Sequence, residues 1–163
     1  MIIKNVSLCF LLKEHSILLA KKKRGFGLGK WNGTGGKLLP GESFKAATVR
    51  ETKEEIGVEI QPQDLQLVAV LDFYFSSSKG QEPLHHYCPT YIATKWKGEP
   101  QETEEMQPRW FSISELPFES MWSDDPLWLP RVIAGEKLHA EFWFDEKFVV
   151  IKSQISPLRE NTV

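Results

Sequence analysis

The sequence predicts an α/β (α+β) fold, an α/β/α sandwich in which a mixed β-sheet lies between layers of helix. Strand-like apolar runs flank one long helix, which the pattern places between Ser43 and Gly57, and a second helix comes late, from about Asp125 to Ile133. A sheet with two apolar faces needs helices on both sides. The length of 163 residues suits one domain, residues 1–163, with a single sizeable core.

The first elements are strands and a glycine-rich loop. Ile3 to Leu12 predicts a buried strand, and Ile17 to Ala20 predicts a second one after a turn at Glu14–His15. Residues 21–37 then hold six glycines and a run of basic residues, which no helix interior tolerates. We expect a loop that leads into a short strand near residues 31–34 and that brings backbone and basic side chains close to phosphates; a flexible surface loop is the alternative.

After the long helix, strands and loops alternate until the second helix. In chain order the pattern predicts a strand Asp64–Phe75, a polar loop Ser76–Glu82, a strand Leu84–Trp96, an acidic loop Lys97–Gln107, a short strand Arg109–Ile113, a one-turn helix beginning at Ser114, the helix started by Ser123, Asp124 and Pro126, a hairpin of Lys137–Asp145 with Lys147–Ser153, and a tail Pro157–Val163.

Composition narrows the classes of partner. A net charge of −2 gives no electrostatic case for binding nucleic acid. The apolar run Val6 to Leu12 is typical of a strand and not of a signal peptide or a membrane span. Cys9 and Cys88 lie in apolar runs without metal-binding spacing, so we expect reduced core thiols in a cytoplasmic protein. We expect a monomer that binds a small molecule.

The long helix carries the strongest chemical signal. Ser43 is a good N-cap and Gly57 a good C′ residue. Between them Glu51, Glu54 and Glu55, here called the box glutamates, are spaced i, i+3 and i+4 and therefore share one face. Three neighbouring carboxylates repel one another unless a hard cation such as Mg²⁺ binds them, and a solvated acidic surface is the alternative interpretation.

The spacing around the box glutamates resembles the Nudix box, GX5EX7REUXEEXGU with U apolar. The matching positions are Gly36, Glu42, Arg50, Glu51, Glu54, Glu55, Gly57 and Val58. Thr52 departs from the pattern, which prefers a bulky apolar residue there. The resemblance implies a Nudix hydrolase domain of α/β/α architecture, and within it an ion pair between Glu42 and Arg50 that ties the loop to the helix.

Stretches outside the box resemble one branch of that family, the oxidised purine nucleoside triphosphatases of the mammalian MutT type. These stretches are residues 21–37, EEMQPRWF at 104–111 and PFESMWSDDPLWLP at 117–130. The resemblance implies a purine pocket lined by Ser7, Phe26, Asn32, Phe73, Phe75, Met106, Trp122, Asp124, Asp125 and Trp128. Ser7, Thr34 and Leu127 differ from the residues of that branch.

The chemistry of these side chains suits a purine. Phe26 and Trp122 can sandwich a flat base, and Asn32 offers both a donor and an acceptor to its edge. Asp124 and Asp125, here called the aspartate pair, would repel each other if both were ionised, so one pKa should rise. One protonated and one ionised carboxyl would accept either oxidised guanine or oxidised adenine. The alternative is a helix N-terminus in which Asp124 caps the helix and the tryptophans pack.

The resemblance implies hydrolysis of an oxidised purine (deoxy)nucleoside triphosphate, such as 8-oxo-dGTP or 2-hydroxy-dATP, to the monophosphate and pyrophosphate. The implied cofactor is Mg²⁺, with Mn²⁺ as a second possibility. The implied metal ligands are Glu51, Glu54, Glu55, Glu105 and the Gly35 carbonyl, and one of these four glutamates would take the proton of the attacking water. Lys22 and Lys37 are candidates for phosphate contacts, with Arg24 a lesser one.

Two other functions stay open at the level of sequence. One is a Nudix hydrolase of another nucleoside diphosphate derivative, such as a methylated purine triphosphate, ADP-ribose or a dinucleotide. The other is a non-catalytic nucleotide-sensing module, although every carboxylate of the box is present. Pyrophosphate release from a small panel of nucleotides separates the three.

Overall fold

The structure is a computed structural model that describes residues 1–77 and 80–160. Within those residues the chain forms nine strands and two α-helices. The strands are β1 Ile2–Asn5, β2 Leu8–Lys13, β3 Ser16–Lys22, β4 Trp31–Asn32, β5 Gln66–Phe75, β6 Leu84–Ala93, β7 Met106–Ser112, β8 Leu138–Phe144 and β9 Val150–Pro157, and the helices are α1 Phe44–Ile56 and α2 Asp125–Ile133.

The strands form a mixed sheet. Its order is β4-β3-β2-β6-β5-β8-β9, while β1 also pairs with β6 and β7 with β3. The pairs β1–β6, β2–β6 and β5–β8 are parallel, and the others are antiparallel. The predicted mixed sheet is therefore confirmed.

Each face of the sheet carries one helix. Alternate residues of β2 point to opposite faces, so Cys9 and Leu11 pack in the core that includes Ile56 of α1. Phe10 packs instead in the core that includes Trp128 of α2. Two cores on opposite faces of one sheet make the α/β/α sandwich that the sequence predicts.

The predicted caps of α1 are confirmed. Ser43 Oγ accepts a hydrogen bond from the Ala46 N–H at 3.1 Å, and Gly57 ends the helix with φ of 73° in the left-handed region. Thr52 and Ile56 of α1 are buried. The caps fix where the helix starts and ends, and so which carboxylates face the glycine-rich loop.

The predicted strand Ile3–Leu12 is two strands, so that prediction is wrong in its middle. The break falls where the chain pairs with the glycine-rich loop: Val6 bridges Lys37, and the Ser7 N–H donates to the Gly36 carbonyl at 2.9 Å. A continuous apolar pattern cannot show such a break, because the partner is remote in sequence. The break places Ser7 beside the glycines.

The region before α2 also differs from prediction. The one-turn helix at Ser114 is wrong: the Glu115 N–H donates to the Ser112 carbonyl in a turn, and the following Pro117 disfavours a helix. A 3₁₀ turn forms later, at Phe118–Ser120. Strand β7 begins three residues earlier than predicted, because it pairs with β3 along its whole length.

The remaining predictions differ only at their boundaries or cannot be assessed. Strand β6 ends at Ala93 rather than Trp96, and β9 continues to Pro157. Residues 78 and 79 of the polar loop and 161–163 of the tail lie outside the described residues. Within the described residues, neither helix is long and apolar enough to cross a membrane.

Cys9 and Cys88 are buried free thiols, and burial raises the pKa of each to about 12. A thiol with so high a pKa carries almost no thiolate near neutral pH, which makes it unreactive. The prediction of reduced core cysteines is therefore consistent with their surroundings.

Candidate functional site

A pocket of about 410 Å³ opens on the α2 side of the sheet. The break between β1 and β2, the glycine-rich loop, strands β5 and β6 and the segment before α2 contribute its walls. Nine of the ten residues predicted to line a purine pocket do line it: Ser7, Phe26, Asn32, Phe73, Phe75, Met106, Trp122, Asp124 and Asp125. The two lysines predicted to contact phosphates, Lys22 and Lys37, line it as well. Their placement is observed, while their roles in binding stay predictions.

Aromatic rings form much of the wall. Phe73 and Phe75 alternate on β5, and both face the pocket, where Phe75 stacks on Phe144 with ring centroids 5.1 Å apart. The rings of Phe26 and Trp122 leave no gap between them for a base. Their ring centroids are 5.1 Å apart and tilted by 37°, so the two rings pack directly on each other. A base that stacks between them has to separate them.

Trp128 is not part of the pocket wall, so that expectation is wrong. Its side chain is fully buried in the core, edge-on to Phe10. Its indole N–H donates to Asp124 Oδ2 at 2.8 Å. Trp128 therefore supports a pocket residue from behind: it lies one helical turn beyond Asp124 on the same face of α2, and its ring is buried in the core.

The aspartate pair lies at the buried end of the pocket. Each residue is only 2 % exposed. Asp124 accepts from the Trp128 indole, and Asp125 Oδ2 accepts from the Trp122 backbone N–H at 3.1 Å. Asp124 occupies the N-cap position of α2, as the alternative interpretation expects, but its backbone angles are helical and its side chain makes no capping hydrogen bond.

Burial governs the protonation of the aspartate pair. It raises the pKa of Asp124 to about 6. Burial, with the neighbouring Asp124 charge as the next cause, raises the pKa of Asp125 well above its ordinary value. The cation that acts on both is Lys30, whose Nζ lies 5.3 Å from the centroid of the Trp122 ring. Both shifts go in the direction that the sequence predicts.

Two polar side chains face the pocket with hydrogen-bonding capacity to spare. The buried Ser7 hydroxyl has no hydrogen-bond partner among the described residues. Such an orphan normally costs about 1–3 kcal/mol, and it points to a ligand. Asn32 Oδ1 accepts from the Gly33 N–H at 2.8 Å, which holds the amide plane in place beside the pocket.

The glycine-rich loop touches α1 through two glycines. The Gly35 N–H donates to Glu55 Oε1 at 2.8 Å. A Cβ on Gly35 would lie 2.0 Å from the Ser7 carbonyl oxygen, and one on Gly36 would lie 2.7 Å from the Glu51 carboxylate. Glycine is therefore required at position 35, where a Cβ would meet backbone, whereas a Cβ at position 36 would displace the Glu51 carboxylate.

Arg50 organises the carboxylates on the outer side of α1. It donates to both oxygens of Glu42, at 2.8 and 2.9 Å, and to the Lys37 carbonyl at 3.1 Å. The predicted ion pair that ties loop to helix is thus confirmed, and it lowers the pKa of Glu42 to about 2. Arg50 also donates to Glu51 at 2.9 Å and to Glu54 at 3.3 Å.

The inner carboxylates are short of positive charge. Burial, together with the charges of Glu51 and Glu105, raises the pKa of Glu55 to about 8. Burial also raises the pKa of Glu51. Glu105 lies on the other side of the loop, where it pairs with Arg24 at 3.2 Å. Arg24 is therefore engaged by an acid and does not line the pocket.

Among the described residues, no three acidic, histidine or cysteine side chains are arranged to hold a metal ion as they stand. The like-charged box glutamates pair with Arg50 and with the Gly35 N–H instead of converging. The donor set nevertheless fits a hard divalent cation, because oxygen ligands that raise one another's pKa bind such an ion readily.

Two departures from the family pattern meet in one contact. Thr34 and Thr52 are both buried, and their hydroxyls form a hydrogen bond of 2.7 Å. A bulky apolar residue at position 52 would leave the Thr34 hydroxyl without this partner. The two threonines therefore compensate each other and link the glycine-rich loop to α1.

Three further residues that line the pocket were not predicted from the sequence. Lys30, His86 and Phe144 line the cavity, and burial lowers the pKa of His86 to about 4, so it is neutral. Lys30 belongs to the basic glycine-rich run, and Phe144 follows Phe142 with the strand period of two. Those patterns could have indicated both residues, whereas the sequence alone carries no sign of His86.

Comparison with known proteins identifies the class that this fold and site define. The chain matches the family model of the NUDIX domain over residues 1–132. The chain therefore belongs to the Nudix family and is a Nudix hydrolase. Enzymes of this family generally use divalent metal ions.

Relatives and solved structures agree with that assignment. The chain is 34 % identical over 157 residues to a zebrafish (Danio rerio) oxidized purine nucleoside triphosphate hydrolase, covering 96 % of this chain and 97 % of the relative. It is 34 % identical over 145 residues to the mouse (Mus musculus) protein of the same name, covering 89 % of each. The fold matches the crystal structure of a MutT protein from Bacillus halodurans with a TM-score of 0.76, over 96 % of this chain and 99 % of that one at 22 % identity.

Proposed function

We propose that this chain hydrolyses oxidised purine (deoxy)nucleoside triphosphates, such as 8-oxo-dGTP or 2-hydroxy-dATP, to the monophosphate and pyrophosphate, and so clears damaged precursors from the nucleotide pool. The zebrafish and mouse relatives carry the name of that activity. The observation that carries the proposal is the buried aspartate pair at the end of an aromatic pocket. A phosphate would be repelled by an ionised carboxyl there, whereas the polar edge of a purine can hydrogen-bond to the pair.

The base would be read at the buried end of the pocket. Each member of the aspartate pair already uses one oxygen for a neutral N–H, from Trp128 or from Trp122, which leaves a second oxygen for the ligand. A protonated carboxyl donates and an ionised one accepts, so the pair matches a purine edge that carries both donors and acceptors. The orphaned Ser7 hydroxyl and the Asn32 amide add further polar contacts nearby.

The aromatic walls would supply the binding energy for the base. Stacking of a base on an aromatic ring contributes about 1–3 kcal/mol. Phe73, Phe75 and Trp122 line the cavity, so an apolar purine face meets apolar surface there. Sandwiching between Phe26 and Trp122 requires their rings to part, because they pack on each other in the structure.

The phosphates would lie toward the glycine-rich loop and α1. We assign Mg²⁺ to Glu51, Glu54, Glu55, Glu105 and the Gly35 carbonyl, with Mn²⁺ as a substitute. When bound there, the ion neutralises charge on the phosphate oxygens and activates water. Lys22 and Lys37, which line the pocket on this side, contact the phosphates. One of the four glutamates accepts the proton of the attacking water.

A nucleotide panel tests this function. Purified protein is given 8-oxo-dGTP, 2-hydroxy-dATP, dGTP, dATP, a methylated purine triphosphate, ADP-ribose and a dinucleotide, each with Mg²⁺ or with EDTA. The products are separated by chromatography, because ADP-ribose and a dinucleotide yield no pyrophosphate. We expect a monophosphate and pyrophosphate only with Mg²⁺, and kcat/KM for an oxidised purine roughly tenfold or more above that for the normal base, as one extra polar contact provides. Preference for ADP-ribose or a dinucleotide would contradict the proposal, and absence of all turnover would favour a sensing module.

The predictions of a single domain over residues 1–163 and of a cytoplasmic monomer stay predictions. One sheet that carries both cores supports the single domain. Sedimentation of the purified chain measures its oligomeric state directly.

A further inference from the structure

The turn between β8 and β9 holds a bulky residue in an unusual conformation. Phe148 has φ of 60°, in the left-handed region that large side chains rarely adopt. Residues held in such conformations persist only where the surrounding structure enforces them, and they concentrate at functional sites. Phe148 was not among the residues that the sequence indicated.

Hydrogen bonds on both sides hold the turn. Asp145 Oδ1 accepts from the backbone N–H groups of Lys147 and Val149, at 2.8 and 3.0 Å. Ser123 bridges the turn to the pocket: its hydroxyl donates to the Phe148 carbonyl at 3.4 Å and accepts from the Val150 N–H at 2.9 Å. Ser123 immediately precedes the aspartate pair, so the turn is fastened to the segment that carries it.

The backbone conformation directs the Phe148 ring to the pocket entrance. Its centroid lies 5.6 Å from that of Phe26, 5.7 Å from Trp122 and 5.9 Å from Phe75, each in an edge-to-face arrangement. Phe26 is 50 % exposed and Phe148 42 %. Phe148 itself does not line the cavity, but it contacts three rings that do.

We propose that Phe148 is a positioning residue for base binding, which holds the rings of Phe26 and Trp122 at the entrance of the pocket. The proposal rests on the proposed function, in which a base enters past these two rings. Because the rings pack on each other, entry requires Phe26 to move. Phe148 lies against both rings and limits where they can go. It therefore affects how tightly a base binds, and it leaves the chemistry at the phosphates unchanged.

The experiment compares three variants of the full chain. Phe148→Gly removes the ring, and its backbone suits a positive φ, so the turn is preserved. Phe148→Tyr keeps the ring. Val149→Ala is the matched control, because Val149 lies in the same turn and its side chain is 49 % exposed. KM, kcat and the melting temperature are measured with the nucleotide of the panel that the wild type hydrolyses best. Where no nucleotide is hydrolysed, Kd for 8-oxo-dGMP is measured by quenching of tryptophan fluorescence.

We expect Phe148→Gly to raise KM, or Kd, between about twofold and tenfold, the range for loss of aromatic edge contacts. Its kcat stays within about twofold of wild type, and Phe148→Tyr and Val149→Ala bind like wild type. The proposal is overturned if Phe148→Gly binds like Val149→Ala, or if Phe148→Tyr loses as much affinity as Phe148→Gly. If the wild type prefers a nucleotide without an oxidised purine, the proposed function is contradicted instead. The ratio of KM or Kd between the variants then still tests the role of Phe148.

Discussion

The two acidic clusters of this molecule are built from the same functional group and differ in whether a cation donates hydrogen bonds to them. The box glutamates lie on a helix face where Arg50 donates to Glu51 and Glu54. The aspartate pair is almost completely buried, and it accepts from the neutral N–H groups of Trp122 and Trp128.

The difference shows how surroundings decide what a carboxyl group does. A cluster that is already paired with a cation, and still has carboxylates raising one another's pKa, favours binding of more positive charge. A buried pair with neutral donors and a distant lysine is relieved more cheaply by holding a proton. We therefore expect the first cluster to act on the phosphates and the second on the base.

The largest expected effect comes from neutralising the first cluster. Glu54→Gln and Glu55→Gln should each lower kcat by about 100-fold or more, which is the usual consequence of losing a group needed for the proton transfer or for the metal. In the Glu55→Gln variant, the side-chain amide oxygen can still accept from the Gly35 N–H, so the fold should persist. Steady-state kinetics with saturating Mg²⁺ measure the loss.

The control for these variants is Glu59→Gln. Glu59 is exposed just beyond α1 and pairs with Lys53, so its charge is remote from the box glutamates. We expect kcat within about twofold of wild type. If either box variant keeps activity within a few-fold of wild type, the assignment of the metal ligands is wrong. The expectation that the first cluster acts on the phosphates is then contradicted.

Neutralising the second cluster should change the selectivity for the base more than it changes the rate of the chemical step. Asp124→Asn and Asp125→Asn each replace one carboxyl of the pair by an amide that cannot titrate, so the two members can no longer exchange the donor and acceptor roles. We expect kcat/KM for 8-oxo-dGTP to fall roughly 10- to 100-fold relative to dGTP, as loss of a hydrogen bond to a charged group predicts. Asp64→Asn, in the remote 3₁₀ turn Pro62–Asp64, is the control. Unchanged discrimination would remove the aspartate pair from base recognition.

The same variants should alter how stability depends on pH. The folded pKa of Asp124, about 6, lies above its ordinary value, and that of Asp125 lies well above. Groups with a raised folded pKa contribute stability below their ordinary pKa, and that stability is lost as pH rises through the folded pKa. The contribution of the pair to the unfolding free energy should therefore fall by roughly 1–3 kcal/mol as pH rises from about 4 through about 6, the folded pKa of Asp124. Urea denaturation of Asp125→Asn should show a shallower fall than wild type.

How much the sequence could predict follows from how far apart the interacting residues are in the chain. The caps of α1 and the shared face of the box glutamates depend on neighbours within a few residues, and periodicity encodes them. The ion pair between Glu42 and Arg50 spans only a loop and two turns of helix, and the family spacing indicated it.

Other features depend on contacts that no local pattern contains. Trp122 and Trp128 look alike in sequence, yet the first lines the pocket and the second lies in the core. The break before Ser7 is made by the remote glycine-rich loop, and the ring of Phe148 reaches the pocket from the far end of the chain. Three-dimensional packing, rather than periodicity or resemblance, decides such positions.

The smallest expected effect concerns the neutral contact beneath the first cluster. Thr52→Val removes the hydroxyl that bonds to Thr34, and it leaves the buried Thr34 hydroxyl with only the Cys9 carbonyl at 3.5 Å. We expect a loss of about 1–2 kcal/mol of unfolding free energy, and a similar loss for Thr34→Val. The double variant should lose little more than either single one, because apolar groups then replace both partners. Urea denaturation of the four proteins gives the coupling energy.

Thr48 provides the matched control for this cycle. It is equally buried on α1, but its hydroxyl donates back to the Phe44 carbonyl of its own helix at 2.7 Å. Thr48→Val and Thr34→Val should therefore add within about 0.5 kcal/mol. Additivity in the Thr34 and Thr52 cycle as well would mean that the two departures from the family pattern are independent. Coupling would mean that the loop bearing Gly35 is tied to the helix of the box glutamates by a bond that an apolar residue at position 52 cannot make.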